Sequence, residues 1–277
     1  MKNIFKKIII LTMLVTAFLS CEKDDDSGIP EGQGEVKTSI TDGPFPFSFV
    51  TEANVGVTKV EVKTATSDYV VLYEGSASYN LVDLTNGVTA EVEVSTIEAG
   101  TYTHCRVTVG EASVTYSDGT SHTASVDAHV IRDIAIVPAL IVEEGEASEV
   151  LLDVDLASSF SFLGMGGLLL SDWILGGISS IHSCGFTPVV RVCDYDRTGE
   201  ITGAVTVDGD YQQYARIAIE VDGETIHTHS ESDGAFTFVG VAAGDYTVVV
   251  TTSDGETSSV SVTVSGTDTA SCGVIAL

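Results

Sequence analysis

Apolar and polar residues alternate in short runs along most of the chain, and Gly, Asp, Asn and Ser separate the runs. Residues 36–41, 55–62, 69–73, 90–94, 105–109 and 114–116 follow this pattern, which sets every second side chain on one face and predicts short β-strands. A second series opens at Gly199 and takes in 201–207, 215–221, 225–229, 235–239, 245–251 and 258–264. Each series suffices for one two-layered unit. The pattern therefore predicts an all-β protein of two antiparallel β-sandwich domains, 34–197 and 198–277, with the break near 194–198. Asp118-Gly119 and Asp222-Gly223 predict hairpin turns, where glycine accepts a positive φ.

Two apolar tracts do not alternate. The first, residues 8–19, follows Lys2, Lys6 and Lys7 and ends at Ser20-Cys21. It is shorter than the roughly 20 residues that span a bilayer and opens onto an acidic stretch, so residues 1–20 read as a cleaved signal peptide and 21–33 as a flexible tether. The second tract, 160–181, holds Trp173, the single Trp of the chain. Asp172 and the glycines at 164, 166, 167, 176 and 177 oppose a membrane-spanning helix. It is expected to form a short helix or loop that caps the first sandwich.

One local pattern recurs. Ala99-Gly100-Thr101-Tyr102-Thr103 is echoed by Ala243-Gly244-Asp245-Tyr246-Thr247. A turn glycine before a strand-entering tyrosine predicts a ring packed at the sandwich edge with its hydroxyl bonded to nearby backbone.

Charge narrows the partners. Across 277 residues, 12 Lys and Arg face 40 Asp and Glu, a net charge of −28. Removal of residues 1–20 takes away three lysines and leaves −31. Such a field repels nucleic-acid backbones, so nucleic acid is excluded as a partner. Hydrophobic content of 44% and a mean hydropathy of +0.28 exclude a largely disordered chain.

Candidate chemistry is sparse. No Gly-x-Ser-x-Gly elbow, phosphate loop or His-Glu-x-x-His helix occurs, so the chain is read as a non-enzyme without cofactor or metal. Asp127 and His129, with His122 nearby, and His227 with His229 share strand faces, but two ligands do not make a metal site. Residues 194–199 resemble the opening of a calcium loop, yet Val205 stands where its bidentate Glu belongs, so they are read as linker and strand entry. Cys105, Cys184, Cys193 and Cys272 follow Cys21. Pairings of Cys193 with Cys184 or with Cys272 stay open in an oxidising compartment, and Cys105 is read as a buried core thiol. Tyr211 and Tyr214, beside Asp210, Gln212 and Gln213, form the one named ligand candidate, because such rings stack on a sugar while neighbouring polar groups bond its hydroxyls.

Several segments resemble known families. Residues 17–21, Ala-Phe-Leu-Ser-Cys, resemble the lipobox of bacterial lipoproteins, which implies lipid attachment at Cys21 and a membrane anchor. Glu22 to Asp26 is similar to the export signal of Bacteroidota-type surface lipoproteins, which implies an outer-membrane, cell-surface location. Ile40-Thr41-Asp42-Gly43-Pro44, Leu81-Val82-Asp83-Leu84-Thr85-Asn86-Gly87 and Leu151-Leu152-Asp153-Val154-Asp155, in that order, resemble a domain of unknown function common in such lipoproteins. Gly199 to Val205, Ser232 to Phe238 and Ala243 to Val248 resemble the carboxypeptidase regulatory-like domain, a seven-stranded sandwich that is mostly non-catalytic. Together these imply a non-catalytic surface lipoprotein that binds or adheres, with a glycan or surface protein as partner. An accessory subunit of a surface assembly is the alternative, and an unrecognised hydrolase the third.

Overall fold

Burial alternates along the long strands as the sequence pattern requires. The computed structural model describes residues 28–46, 48–126, 130–164, 169–170 and 181–277. Cys21, Asp127, His129 and Trp173 lie outside the described residues.

The first unit comprises β1 (Gln33–Asp42), β2 (Val50–Lys63), β3 (Val70–Asn80), β4 (Ala90–Glu98), β5 (Gly100–Tyr116), β6 (Ser121–Thr123) and β7 (Ser125–Val126). It continues with β8 (Val130–Val142), β9 (Ala147–Val154), helix α1 (Leu156–Ser159), β10 (Phe160–Gly164), β11 (Leu169–Leu170), β12 (Ile181–Phe186) and β13 (Val190–Asp194). A nine-stranded sheet runs β3-β2-β5-β8-β13-β9-β1-β4, with β6 on β5, and a smaller sheet runs β11-β10-β12-β7. Val55, Val57, Val107 and Val109 of β2 and β5 meet Ile40 of β1 and Leu152 and Val154 of β9, so the large sheet folds over its own core.

The second unit comprises β14 (Gly199–Val207), β15 (Asp210–Tyr211), β16 (Arg216–Val221), β17 (Glu224–His229), β18 (Ala235–Val241), β19 (Gly244–Thr251), β20 (Thr257–Val264) and β21 (Thr269–Ala276). One sheet runs β15-β14-β18 with β21 on β14, the other β17-β16-β19-β20. Ile201, Val205, Phe236 and Phe238 of the first sheet and Ile217, Ile219, Val248 and Val250 of the second belong to one buried cluster.

The all-β expectation holds, and most ladders are antiparallel. Parallel ladders join β1 to β9, β8 to β13, β7 to β12 and β14 to β21. The runs 105–109 and 114–116 form one strand, β5, because a slip around Gly110 shifts the buried phase from Val109 to Ala112 and keeps the ladder to β2 continuous. The tract from Phe160 corrects the helix-or-loop expectation. Its described residues are strands β10 and β11 and the start of β12, and Phe160 and Phe162 pack with Phe45, Phe49 and Tyr116 in the core. Alternation of large rings with Ser161 marks a sheet with one buried face, and the glycines obscured that signal.

Both Asp-Gly turns close hairpins, β5 to β6 and β16 to β17. Both tyrosines of the echo also behave as expected. Tyr102 donates its hydroxyl to the Glu98 carbonyl at 2.8 Å, and Tyr246 to the Ala242 carbonyl at 2.8 Å.

Candidate functional site

Where the two units meet, Arg191 of β13 crosses from one to the other. Its Nη2 donates to Asp153 Oδ2 at 2.7 Å and to the Val239 carbonyl at 2.6 Å, while Nη1 donates to the Gly240 carbonyl at 2.5 Å. Burial works against this guanidinium, but the Asp153 carboxylate, Cys193 and Tyr246 together outweigh it and hold the Arg191 pKa above its ordinary value. Gly240 makes the approach feasible. Its φ is +63°, and a Cβ there would stand 2.6 Å from Cys193 Sγ. Val239 packs with Leu151 and Cys193 in a small apolar seam, and Thr85 donates to Glu231 at 3.1 Å across the same junction.

Beside this clamp lies a cavity of about 390 Å³. The first unit contributes residues from β1, β8, β9 and β13, and the second contributes the β16–β17 hairpin, whose β17 is an edge strand. Its walls combine apolar side chains such as Ile134, Val137 and Ile226 with Asp42, Arg191, His227 and Thr228. Each of these four polar residues has one buried atom without a hydrogen-bond partner: Asp42 Oδ2, Arg191 Nε, His227 Nδ1 and Thr228 Oγ1. These four atoms are shut into the wall with almost no accessible surface, so what the cavity offers an outside molecule is its mixed apolar and polar lining.

Asp42 ends β1, and its Oδ1 accepts the Leu156 N–H at 3.0 Å. Burial pushes its carboxyl well above the usual aspartate range, and the nearby Asp153 and Asp155 carboxylates add to the shift against bonds from the Leu156 and Gly43 backbone. Asp155 is committed elsewhere, since it caps α1 by accepting the Ser158 N–H and hydroxyl, each at 2.7 Å. His227 Nε2 lies 2.7 Å from Arg216 Nη2. Burial and the Arg216 charge hold His227 below the usual histidine range, so it is neutral near pH 7. A guanidinium can only donate, so Nε2 accepts and the ring proton sits on Nδ1, the atom that lacks a partner.

The sequence candidates are spread over several places. Tyr214 has φ +60°, donates its backbone N–H to the Ser230 carbonyl at 2.8 Å and lines a neighbouring cavity of about 590 Å³. His227 and His229 line both cavities. Tyr211 lines neither. It pairs with Thr206 on β15, 61% exposed, against Gly234. The two tyrosines therefore do not share a cavity.

His122 faces the Tyr116 ring at 5.5 Å, and among the described residues no three His, Cys, Asp or Glu side chains gather as a metal-ligand set. Residues 195–197 form a 3-10 turn after Asp194, whose Oδ2 accepts the Ile141 N–H at 3.0 Å, while Asp196 Oδ2 accepts the Glu149 N–H at 2.7 Å. These carboxylates bind backbone. Cys105, Cys184, Cys193 and Cys272 are all free thiols, so neither open pairing forms; burial pushes Cys105 up to about 12 and Cys193 up to about 11. Among the described residues no helix is long and apolar enough to cross a membrane.

Sequence reading missed Asp42, Arg191 and Thr228 as site residues. A signal existed for one of them. Arg191 is a scarce cation inside the apolar run Val189-Val190-Arg191-Val192, and a buried arginine requires partners.

Residues 33–171 match the family described as a domain of unknown function, DUF4382. A search of curated proteins gives no match. Among solved structures, the Bacillus anthracis TIE protein aligns at 11% identity over 88% of this chain and 50% of its own, with a TM-score of 0.25. BcpA, the major pilin subunit of Bacillus cereus, aligns at 11% identity over 87% of this chain and 69% of its own, with a TM-score of 0.21. GBS52, the minor pilin in Streptococcus agalactiae, gives 13%, 87%, 94% and 0.23. The chain thus spans half the length of the first of these, and TM-scores this low carry no inference to it.

Proposed function

Through residues 33–171 the chain belongs to the DUF4382 family, and from that premise we propose a non-catalytic surface lipoprotein that binds carbohydrate in the cleft between its two β units. The observation that carries this reading is the cavity of about 390 Å³ at the junction, whose lining mixes apolar side chains with Asp42, Arg191, His227 and Thr228. A binding role asks no reaction of Asp42, whose carboxyl pKa is raised by burial and whose Oδ1 accepts the Leu156 N–H. The anchor belongs to the same proposal. Lipid on Cys21, an outer-membrane surface location and a division near residue 197 into a DUF4382 domain and a carboxypeptidase regulatory-like domain complete the picture. Tyr214 extends the site through the neighbouring cavity, and Tyr211 offers a separate exposed ring.

A glycan array probed with the full chain carrying Cys21→Ser tests the central part, and saturable binding to a defined set of glycans is expected. No glycan signal, together with recovery of a stoichiometric protein partner, would instead favour an accessory subunit of a surface assembly. Turnover of a glycoside, ester or peptide that survives repurification would overturn the non-catalytic part.

A further inference from the structure

We infer that the neighbouring cavity of about 590 Å³ takes the carboxylate of an acidic sugar, a uronate, on the guanidinium of Arg216. The inference rests on the carbohydrate-binding reading above and adds the charge of the ligand. Arg216 stands on β16 with His229 of β17 and Thr251 of β19 as its register partners. Directly opposed residues of an antiparallel ladder project to one face about 5 Å apart, so the three form a polar row across the sheet, and all three line this cavity. Arg216 is exposed, and the one hydrogen bond of its guanidinium among the described residues joins Nη2 to the neutral His227 at 2.7 Å. Among the described residues no carboxylate pairs with it.

The lining sets this cavity apart from the rest of an acidic chain. With 40 Asp and Glu against 12 Lys and Arg, an arginine readily finds a carboxylate, as Arg106 and Arg191 do. The first cavity has Asp42, Asp153, Asp155, Asp222 and Glu224 in its wall, whereas no Asp or Glu among the described residues lines the second. Asp155 comes near through Ser158, whose hydroxyl it accepts at 2.7 Å, but it lines the first cavity. One guanidinium N–H of five goes to His227, which leaves a two-pronged fork, the geometry that matches a carboxylate. A single negative charge suits the place better than a phosphate dianion, because the net charge of −28 opposes each added charge. An ammonium would meet the Arg216 charge with no acid in the wall to offset it. Tyr214 and Phe49 give the wall two rings for the C–H face of a sugar, and Thr251 and Ser253 supply hydroxyls that donate or accept.

Calorimetric titration of the full chain carrying Cys21→Ser tests this with disaccharides in gluco, galacto and manno configuration, each as the uronate, its methyl ester and the neutral parent sugar. At least one uronate is expected to bind, with its ester and neutral parent weaker by about tenfold or more. Arg216→Gln is expected to remove the difference between acid and ester, and Arg216→Lys, which keeps the charge and loses the fork, to retain only part of it. Val274→Thr, at an exposed position of β21, leaves the difference unchanged, and thermal melts establish that each variant is folded. An ester or neutral parent that binds as tightly as its uronate would overturn carboxylate recognition and leave the binding role standing. A preference for the uronate that survives in folded Arg216→Gln would overturn this cavity as its site. No binding from any disaccharide beside a positive array would overturn the inference alone, whereas a silent array would remove the carbohydrate reading with it.

Discussion

Glu61 and Asp42 have nearly the same accessible surface, 5% and 4% exposed, but Asp42 lies far deeper in the protein, and their acidities move in opposite directions. Glu61 lies on β2 under two cations. Its Oε2 accepts from Arg106 Nε at 2.7 Å, and its Oε1 lies 3.4 Å from Lys59 Nζ. The Arg106 bond outweighs burial and holds Glu61 below the usual glutamate range. Arg106 is in turn fixed over the Tyr69 ring at 4.1 Å, and Tyr69 donates to Asp133 at 2.9 Å. Asp42 forms no ion pair among the described residues, and burial raises it. Low exposure therefore does not decide what a buried acid is for. A carboxylate near the surface with its cation in place holds strands together, and one buried deeply without a cation is pushed toward its neutral form.

Three substitutions break or sharpen this contrast. The largest effect is expected from Arg106→Ala, which leaves Glu61 covered with only Lys59, 3.4 Å away, as its cation and costs about 3 kcal/mol in urea unfolding. Gly240→Ala comes next at about 2 kcal/mol, because a Cβ there collides with Cys193 Sγ in a left-handed backbone. It also loosens the junction that covers Asp42, so the Asp42 midpoint should fall toward the ordinary range while that of Glu61 stays.

The smallest effect is a gain. Asp42→Asn is expected to stabilise the chain by about 1 kcal/mol near neutral pH, since it removes the cost of ionising a buried acid. The sign follows from linkage. As pH rises past the ordinary aspartate value of about 3.9, the unfolded chain ionises before the folded one, so wild-type stability falls until the raised folded midpoint is passed. The melting difference between variant and wild type should therefore vanish near pH 4 and grow above it. Glu61 acts in the other direction, contributing stability above the ordinary glutamate value that is lost as pH falls through its lowered midpoint.

Local pattern carried much of the fold into view. The strand runs, the Asp118-Gly119 and Asp222-Gly223 turns and the hydroxyl bonds of Tyr102 and Tyr246 depend on residues a few positions apart, and periodicity reports on that scale. Register slips and parallel ladders depend on distant partners, so the merging of two runs into β5 and the pairing of β1 with β9 were not legible. The cleft was less legible still. Asp42 sat in a motif quoted only for family resemblance, His227 appeared as half of an ordinary strand pair, and Arg191 and Thr228 carried no motif at all. They converge because β1, β13 and β17 meet where the units dock, a juxtaposition that no sequence spacing encodes.

A carbon-13 NMR titration of the Asp42 and Glu61 side-chain carboxyls in the full chain carrying Cys21→Ser measures the difference between the two acids directly. The account predicts an Asp42 midpoint well above the usual aspartate range and a Glu61 midpoint below the usual glutamate range. An Asp42 carboxyl that titrates at or below the ordinary aspartate value would contradict it, because burial would then not dominate its surroundings.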